Sequence, residues 1–270
     1  MPHRWFTASL LVIVLLVAAG CSDSSDVSSG SSVVVRAYLY AGEPVADVQL
    51  TSSILIGASD TVGPPVSDAS VRLIRNGVSY LLTADGTRPG YYRYGGTDLT
   101  VASGDQFGLS VVAGDRIVTS NTTVPPGPAA IAVSRDTLTV ALRTMFGNMK
   151  EVYSDDSVVV RWNGGTDDLY YTLVKNVDAN PVVIGTDTLR RFDFFSQPTS
   201  QVRYRVPVQQ LRYAGTYRVV VYRVNAEYAD LYRSRQQDNR TLNEPLTNVK
   251  NGLGIFSAFA ADSVTFTVKL

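Results

Sequence analysis

The sequence predicts an all-β protein of two β-sandwich domains with one short helix. Three observations carry that prediction. Apolar residues alternate with polar ones in short segments, Gly, Pro, Asp and Asn turns separate those segments, and helical spacing is confined to residues 225–237.

In chain order, residues 1–20 read as a signal peptide. His3 and Arg4 precede an unbroken aliphatic run, Leu10–Val17, and Ala18, Ala19 and Gly20 then lead into Cys21. The run is far shorter than the ~20 residues of a membrane-spanning helix, and small residues before the cysteine suit cleavage. Ala-Ala-Gly-Cys resembles the lipobox of bacterial lipoproteins, which implies acylation of Cys21 at the head of the mature chain. Two or more acyl chains hold a protein on a bilayer, each buried methylene adding ~0.8 kcal/mol. Residues 21–32 then form a lipidated tether, because Ser22–Ser32 is Ser, Asp and Gly apart from Val27 and has too little apolar surface to order itself. Acidic residues close behind the cysteine resemble the signals that send lipoproteins of Bacteroidota to the outer face of the outer membrane.

Composition excludes several function classes. Removing residues 1–20 takes Arg4 and no acid, leaving 23 basic against 24 acidic side chains. The Arg residues are scattered among acids rather than gathered in a stripe, so no nucleic-acid footprint is present. The only histidine, His3, is in the signal, and Cys21 is the only cysteine. Ser-His-Asp and Cys-His catalysis and His-ligated zinc or iron are therefore excluded from the mature chain. Disulfides are excluded too, so packing alone must hold the domains. No cofactor is expected, and carboxylate-only hydrolysis or an oxygen-ligated calcium site is the chemistry left open.

The first sandwich is expected over residues 33–123. Val33–Tyr40 and Val48–Ile56 are its opening strands, and Pro64-Pro65 turns into a strand with Ala69, Val71 and Leu73 on one face. Asn76-Gly77 predicts a type I′ hairpin turn. Val78–Thr83, Tyr91–Tyr94, Gln106–Ala113 and Arg116–Thr122 follow as strands, with turns at Gly86–Gly90 and at Gly114-Asp115. The segment resembles the small seven-stranded Greek-key, Ig-like modules found beside outer-membrane receptors.

Val124-Pro125-Pro126-Gly127-Pro128 is the densest proline cluster after the signal, and residues 124–136 are expected as a linker. A second sandwich should fill residues 137–270, with strands at Leu138–Leu142, Ser157–Trp162, Tyr170–Lys175, Tyr217–Tyr222 and Ser263–Leu270. The placing of Trp162, Tyr171 and Tyr217–Tyr222 resembles a fibronectin type III domain. Trp162 is expected as a core plug between sheets rather than a sugar platform. Asn225–Gln237 should be a helix capped by Asn225, with Tyr228, Leu231 and Tyr232 on its buried face.

Residues Asn243–Phe259 then run through an acid-Pro turn into Asn251-Gly252-Leu253-Gly254-Ile255-Phe256-Ser257-Ala258-Phe259. This closing motif, with the lipobox, the Pro65–Leu73 segment, the proline junction and the tyrosine-rich helix, resembles the Bacteroidota lipoproteins that carry a domain of unknown function 4249. Members of that family are typically encoded near TonB-dependent outer-membrane receptors, and the resemblance implies an accessory role in uptake. It carries over no functional residues. The motif itself reads as a loop packed under the sandwich, and residues Asn251, Gly252, Leu253, Gly254, Ile255 and Phe256 are the candidate partner-contact loop.

Two acidic pairs, Asp155-Asp156 and Asp167-Asp168, lie at turns, where hairpins require such residues; neither has EF-hand spacing. The tyrosines fall largely in strands, where aromatic cross-strand pairs are ordinary. Asp followed by Ser or Thr and an aliphatic recurs and resembles the Bacteroidota O-glycosylation site, making Thr61, Thr137, Ser157, Thr188 and Ser263 candidates. The same pattern also starts strands after turns. The functional expectation is a non-catalytic outer-membrane lipoprotein accessory to a TonB-dependent receptor. A structural or adhesive surface protein is the alternative, with a carboxylate-dependent glycosidase behind it.

Overall fold

Val33–Tyr40 alternates core-facing Val33, Val35, Ala37 and Leu39 with outward Val34, Arg36, Tyr38 and Tyr40. It forms strand β1 in the computed structural model of the protein, which describes residues 32–54, 62–144, 150–184, 193–234 and 247–270. Antiparallel hairpins follow: β2 (Asp47–Ser52), β3 (Ser70–Arg75), β4 (Val78–Ala84), β5 (Tyr91–Arg93), β6 (Gln106–Ala113) and β7 (Arg116–Thr123). Asn76 and Gly77 both take positive φ, 52° and 78°, and Arg75 pairs with Val78 across them. That is the expected type I′ turn.

The second half contributes β8 (Ala129–Val133), β9 (Thr137–Thr139), β10 (Ala141–Thr144), β11 (Lys150–Tyr153), β12 (Val159–Asn163), β13 (Leu169–Asn176), β14 (Val182–Val183), β15 (Phe194–Phe195), β16 (Arg203–Arg205) and β17 (Tyr213–Val224). Helix α1 (Ala226–Ser234) leaves β17 directly, and β18 (Val249–Lys250) and β19 (Leu253–Lys269) close the chain. The expected helix extends to Gln237, and its residues 235–237 lie outside the described residues, as do the signal, Cys21 and the tether to residue 31.

Two hydrophobic cores result. Leu39, Leu50, Leu73, Tyr92, Phe107 and Leu109 fill the first, between a β5-β2-β1-β19 sheet and a β4-β3-β6-β7-β18 sheet. Leu138, Val160, Trp162, Tyr170, Leu211 and Phe266 fill the second, between β15-β13-β17-β19 and β16-β12-β8. Trp162 is buried edge-on to Tyr170, as a core plug, and its indole nitrogen has no partner. The Tyr217 hydroxyl donates to the carbonyl of Tyr213 at 3.0 Å, tying the start of β17 to itself as in sandwich tyrosine corners.

The structure departs from the sequence expectations at the proline junction and at the closing motif. Residues 124–136 are not a bare linker: Val124, Pro125 and Pro128 are buried, and β8 pairs with β12. Proline cannot donate to a ladder, yet its ring is apolar and packs. The larger departure is the closing motif. Asn251 and Gly252 make a turn, but Leu253, Gly254, Ile255 and Phe256 are not a contact loop; they begin the seventeen-residue strand β19. Val34–Tyr40 pairs with Leu253–Phe259 in parallel, and Phe259–Val268 pairs antiparallel with β17. Ile255–Ala260 is continuously buried because one face meets the first core and the other lies under α1. A strand covered on both faces loses its period-two signature and reads as apolar mass. The first core therefore takes Val249, Phe256 and Ala258 from beyond the expected 33–123 boundary.

Candidate functional site: a tyrosine-lined pocket

Because β1 alternates, Tyr38 and Tyr40 point away from the first core. Register then places Tyr40 beside Phe259 of β19, Phe259 beside Val224 of β17, and Tyr222 of β17 opposite Tyr171 of β13. Helix α1 folds over this outer face and adds Tyr228, whose ring meets Phe259 at 4.9 Å and Tyr38 at 5.9 Å, both edge-on. Two contacts pin the helix. The Glu227 carboxylate accepts from the hydroxyls of Thr122 (3.1 Å) and Ser257 (3.3 Å), and the Asn225 amide donates to Thr122 and to the Thr123 carbonyl.

Beneath the helix is a cavity of about 160 Å³ lined by Tyr38, Tyr40, Glu43, Tyr171, Tyr222, Tyr228 and Phe259. Among the described residues, the hydroxyls of Tyr40, Tyr171 and Tyr222 make no hydrogen bond, although all three line the cavity. Burial, then the charge of Asp47, pushes the Tyr40 phenol far above its ordinary range. Burial and the neighbouring phenols of Tyr228 and Tyr222 push Tyr171 up to about 12, and burial with the Glu43 carboxylate raises Tyr222. These rings are neutral phenols at any physiological pH. A larger cleft of about 820 Å³ flanks the start of α1 between Gln106, Asn121 and Asn248. Of its lining groups, Asn248 is already used: its side chain donates to the Phe256 carbonyl at 2.7 Å and accepts from the Phe256 amide at 2.9 Å.

The raised phenols fix a pH response. The folded chain holds the Tyr171 proton more tightly than an unfolded chain, whose tyrosines ionise near 10, so this stability is present below pH 10 and lost between 10 and about 12. Spectrophotometric titration is expected to show a class of phenols that ionises only as the fold opens. Ionisation of every tyrosine near its ordinary value would contradict it.

The candidates from the sequence are dispersed. Cys21, Thr61 and Thr188 lie outside the described residues. Thr137 is exposed at the start of β9, Ser157 is half-buried just before β12, and Ser263 is exposed in the middle of β19 rather than at a strand entrance. Asp155, Asp156 and Asp168 of the acidic pairs each have a partner. Asp155 accepts from the Tyr153 hydroxyl, Asp156 pairs with Arg135, and Asp168 pairs with Arg223 while accepting from Gly165 N at 2.7 Å and the Tyr170 hydroxyl at 3.1 Å. No group of acidic residues among those described could hold a metal ion. No described helix is long and apolar enough to cross a membrane. Sequence reasoning did not single out Tyr38 and Tyr40, which reach the pocket because β1 pairs in parallel with β19.

Among the described residues, fold and site define an all-β sandwich protein with one short helix. The chain belongs to the family described as Domain of unknown function (DUF4249), whose model matches residues 23–265. No curated protein matches it. Among solved structures it is similar to the crystal structure of domains A168-A170 from titin, at 11% identity and a TM-score of 0.21, covering 88% of this chain. The match spans 66% of the titin chain, slightly under two thirds, and nothing about the site rests on it.

Proposed function

We propose that the protein is a non-catalytic, lipid-anchored binding module of the bacterial outer membrane, accessory to a TonB-dependent receptor. The observation that carries the binding role is the tyrosine-lined pocket, where the hydroxyls of Tyr40, Tyr171 and Tyr222 are placed to meet a ligand. The engagement of Asp155, Asp156 and Asp168 in local bonds favours binding over carboxylate catalysis. The lipobox-like Ala18–Cys21 supports the anchor.

Fractionation and capture test this reading. Replacing Cys21 by Ser, with the signal intact, is expected to move the protein from membranes to the soluble fraction, and unmodified chain should bring a receptor down from detergent-solubilised outer membranes. Membrane attachment of Cys21→Ser, or capture without any receptor, would reject it. Intact mass of the native material also tests the O-glycan proposal at Thr61, Thr137, Ser157, Thr188 and Ser263: mature chain plus lipid and nothing more would end it.

A further inference from the structure

The chemistry of the pocket narrows what it takes, on the footing of the binding role proposed above. Its rings stand in two sets of planes. Tyr40 stacks on Phe259 with centroids at 5.2 Å and planes at 18°, Tyr171 stacks on Tyr222 at 5.2 Å and 25°, and Tyr222 meets Phe259 at 86°. Tyr228 stands at 82° to Phe259, so neighbouring walls meet nearly at right angles. Ring centroids here lie 4.9 to 6.4 Å apart. The rings pack on one another, and the cavity of about 160 Å³ that they line is small enough to set a lodged group against several of them, with aromatic faces attracting positive charge over ~6 Å.

Charge points the same way. Among the described residues, Glu43 is the one charged residue lining the cavity. The cation–π contacts recorded among the described residues involve Arg75 with Tyr80, Arg88 with Tyr91 and Arg143 with Tyr153, none of them in this pocket. Among the described residues no lining cation answers the negative potential of the ring faces and the carboxylate. An anion would meet that potential unfavourably. A neutral apolar group would strip water from three phenols and a carboxylate and return nothing. A sugar stacks on a flat platform, which walls at right angles do not offer.

We propose that the pocket binds a small organic cation, an alkylammonium head group of the trimethylammonium type, held by the faces of Tyr40, Tyr171, Tyr222 and Tyr228 with Glu43 as counter-ion. Methyl groups of such a head pack on the rings while its charge stays shared among them. The head is weakly hydrated, so it loses little on leaving water.

Calorimetric titration of the full chain in micelles tests this with choline and with its neutral carbon isostere, 3,3-dimethylbutanol. Choline is expected to bind at least about tenfold more tightly than the isostere. Tyr222→Leu and Tyr40→Leu are each expected to weaken choline by about tenfold, Glu43→Gln by about fivefold, and Tyr222→Phe, which keeps the ring and the fold, by less than about threefold. Equal affinities for choline and the isostere would overturn the cation assignment and leave a binding module for neutral ligands. No choline heat at any accessible concentration, with Tyr222→Phe melting like the parent, would identify the rings as a packed aromatic cluster only and overturn it too. Receptor capture is a separate readout, so loss of the accessory role and loss of the cation site are distinguishable.

Discussion

A chain lacking residues 247–270 will not fold, in either half. The deletion removes β18 and β19 and with them Val249, Ile255, Phe256, Phe259, Phe266 and Val268, all buried. At roughly 1.5–3 kcal/mol for each large apolar side chain, these six contribute about 10–20 kcal/mol, comparable to the ~5–15 kcal/mol by which a whole domain is stable. The loss is also shared. Phe256 belongs to the first core and Phe266 to the second, and the strand between them is the neighbour of both β1 and β17. The expected result is loss of the cooperative thermal transition and rapid proteolysis through both cores. For the same reason residues 32–128 expressed alone should be unfolded. A folded N-terminal half with a sharp melting transition would show that β19 is dispensable to it.

The second large effect is expected at Gly254. Its φ is +105°, and a Cβ there would sit 1.9 Å from the carbonyl oxygen of Val35, in the middle of β1. Val35 cannot retreat, because β1 is held on its other side by β2, where it pairs with Leu50. Gly254→Ala should therefore cost about 3 kcal/mol from backbone strain and overpacking together, lowering Tm by roughly 6–12 °C for a chain of this size. Gly42 supplies the control. It also has positive φ, +79°, but open space around it. Gly42→Ala should cost only about 1 kcal/mol, the left-handed conformation alone. Equal melting of the two variants would remove the close approach to Val35 as the reason for glycine at 254.

The parts of the fold legible in the sequence are those that local chemistry decides. Asn76-Gly77 announces its turn because the conformation is a property of two residues. Val33–Tyr40 announces a strand because one face is core and the other is not. The first residues of β19 were illegible for the opposite reason, since cover on both faces erased the alternation and left glycines that suggested a loop. The pocket was half legible. Tyr171 and Tyr222 form the cross-strand pair that aromatic strands suggest, and Tyr228 lies on the helix face expected to be buried. What no local pattern could supply was Tyr38 and Tyr40, brought to them by parallel pairing between the two ends of the chain.

That pairing has a consequence for how the molecule is made. Val34 meets Leu253, roughly 220 residues downstream, so one of the longest loops the chain can form must close before β1 is flanked on both sides. Until then β1 has β2 as a neighbour and an open edge beyond, and β7 is likewise open on the side that β18 will occupy. Open edges accept strands from any source. Acquisition of the native state is gated by a segment synthesised roughly 220 residues after β1, and in the interval the nascent chain competes with its own copies for the place that β19 fills.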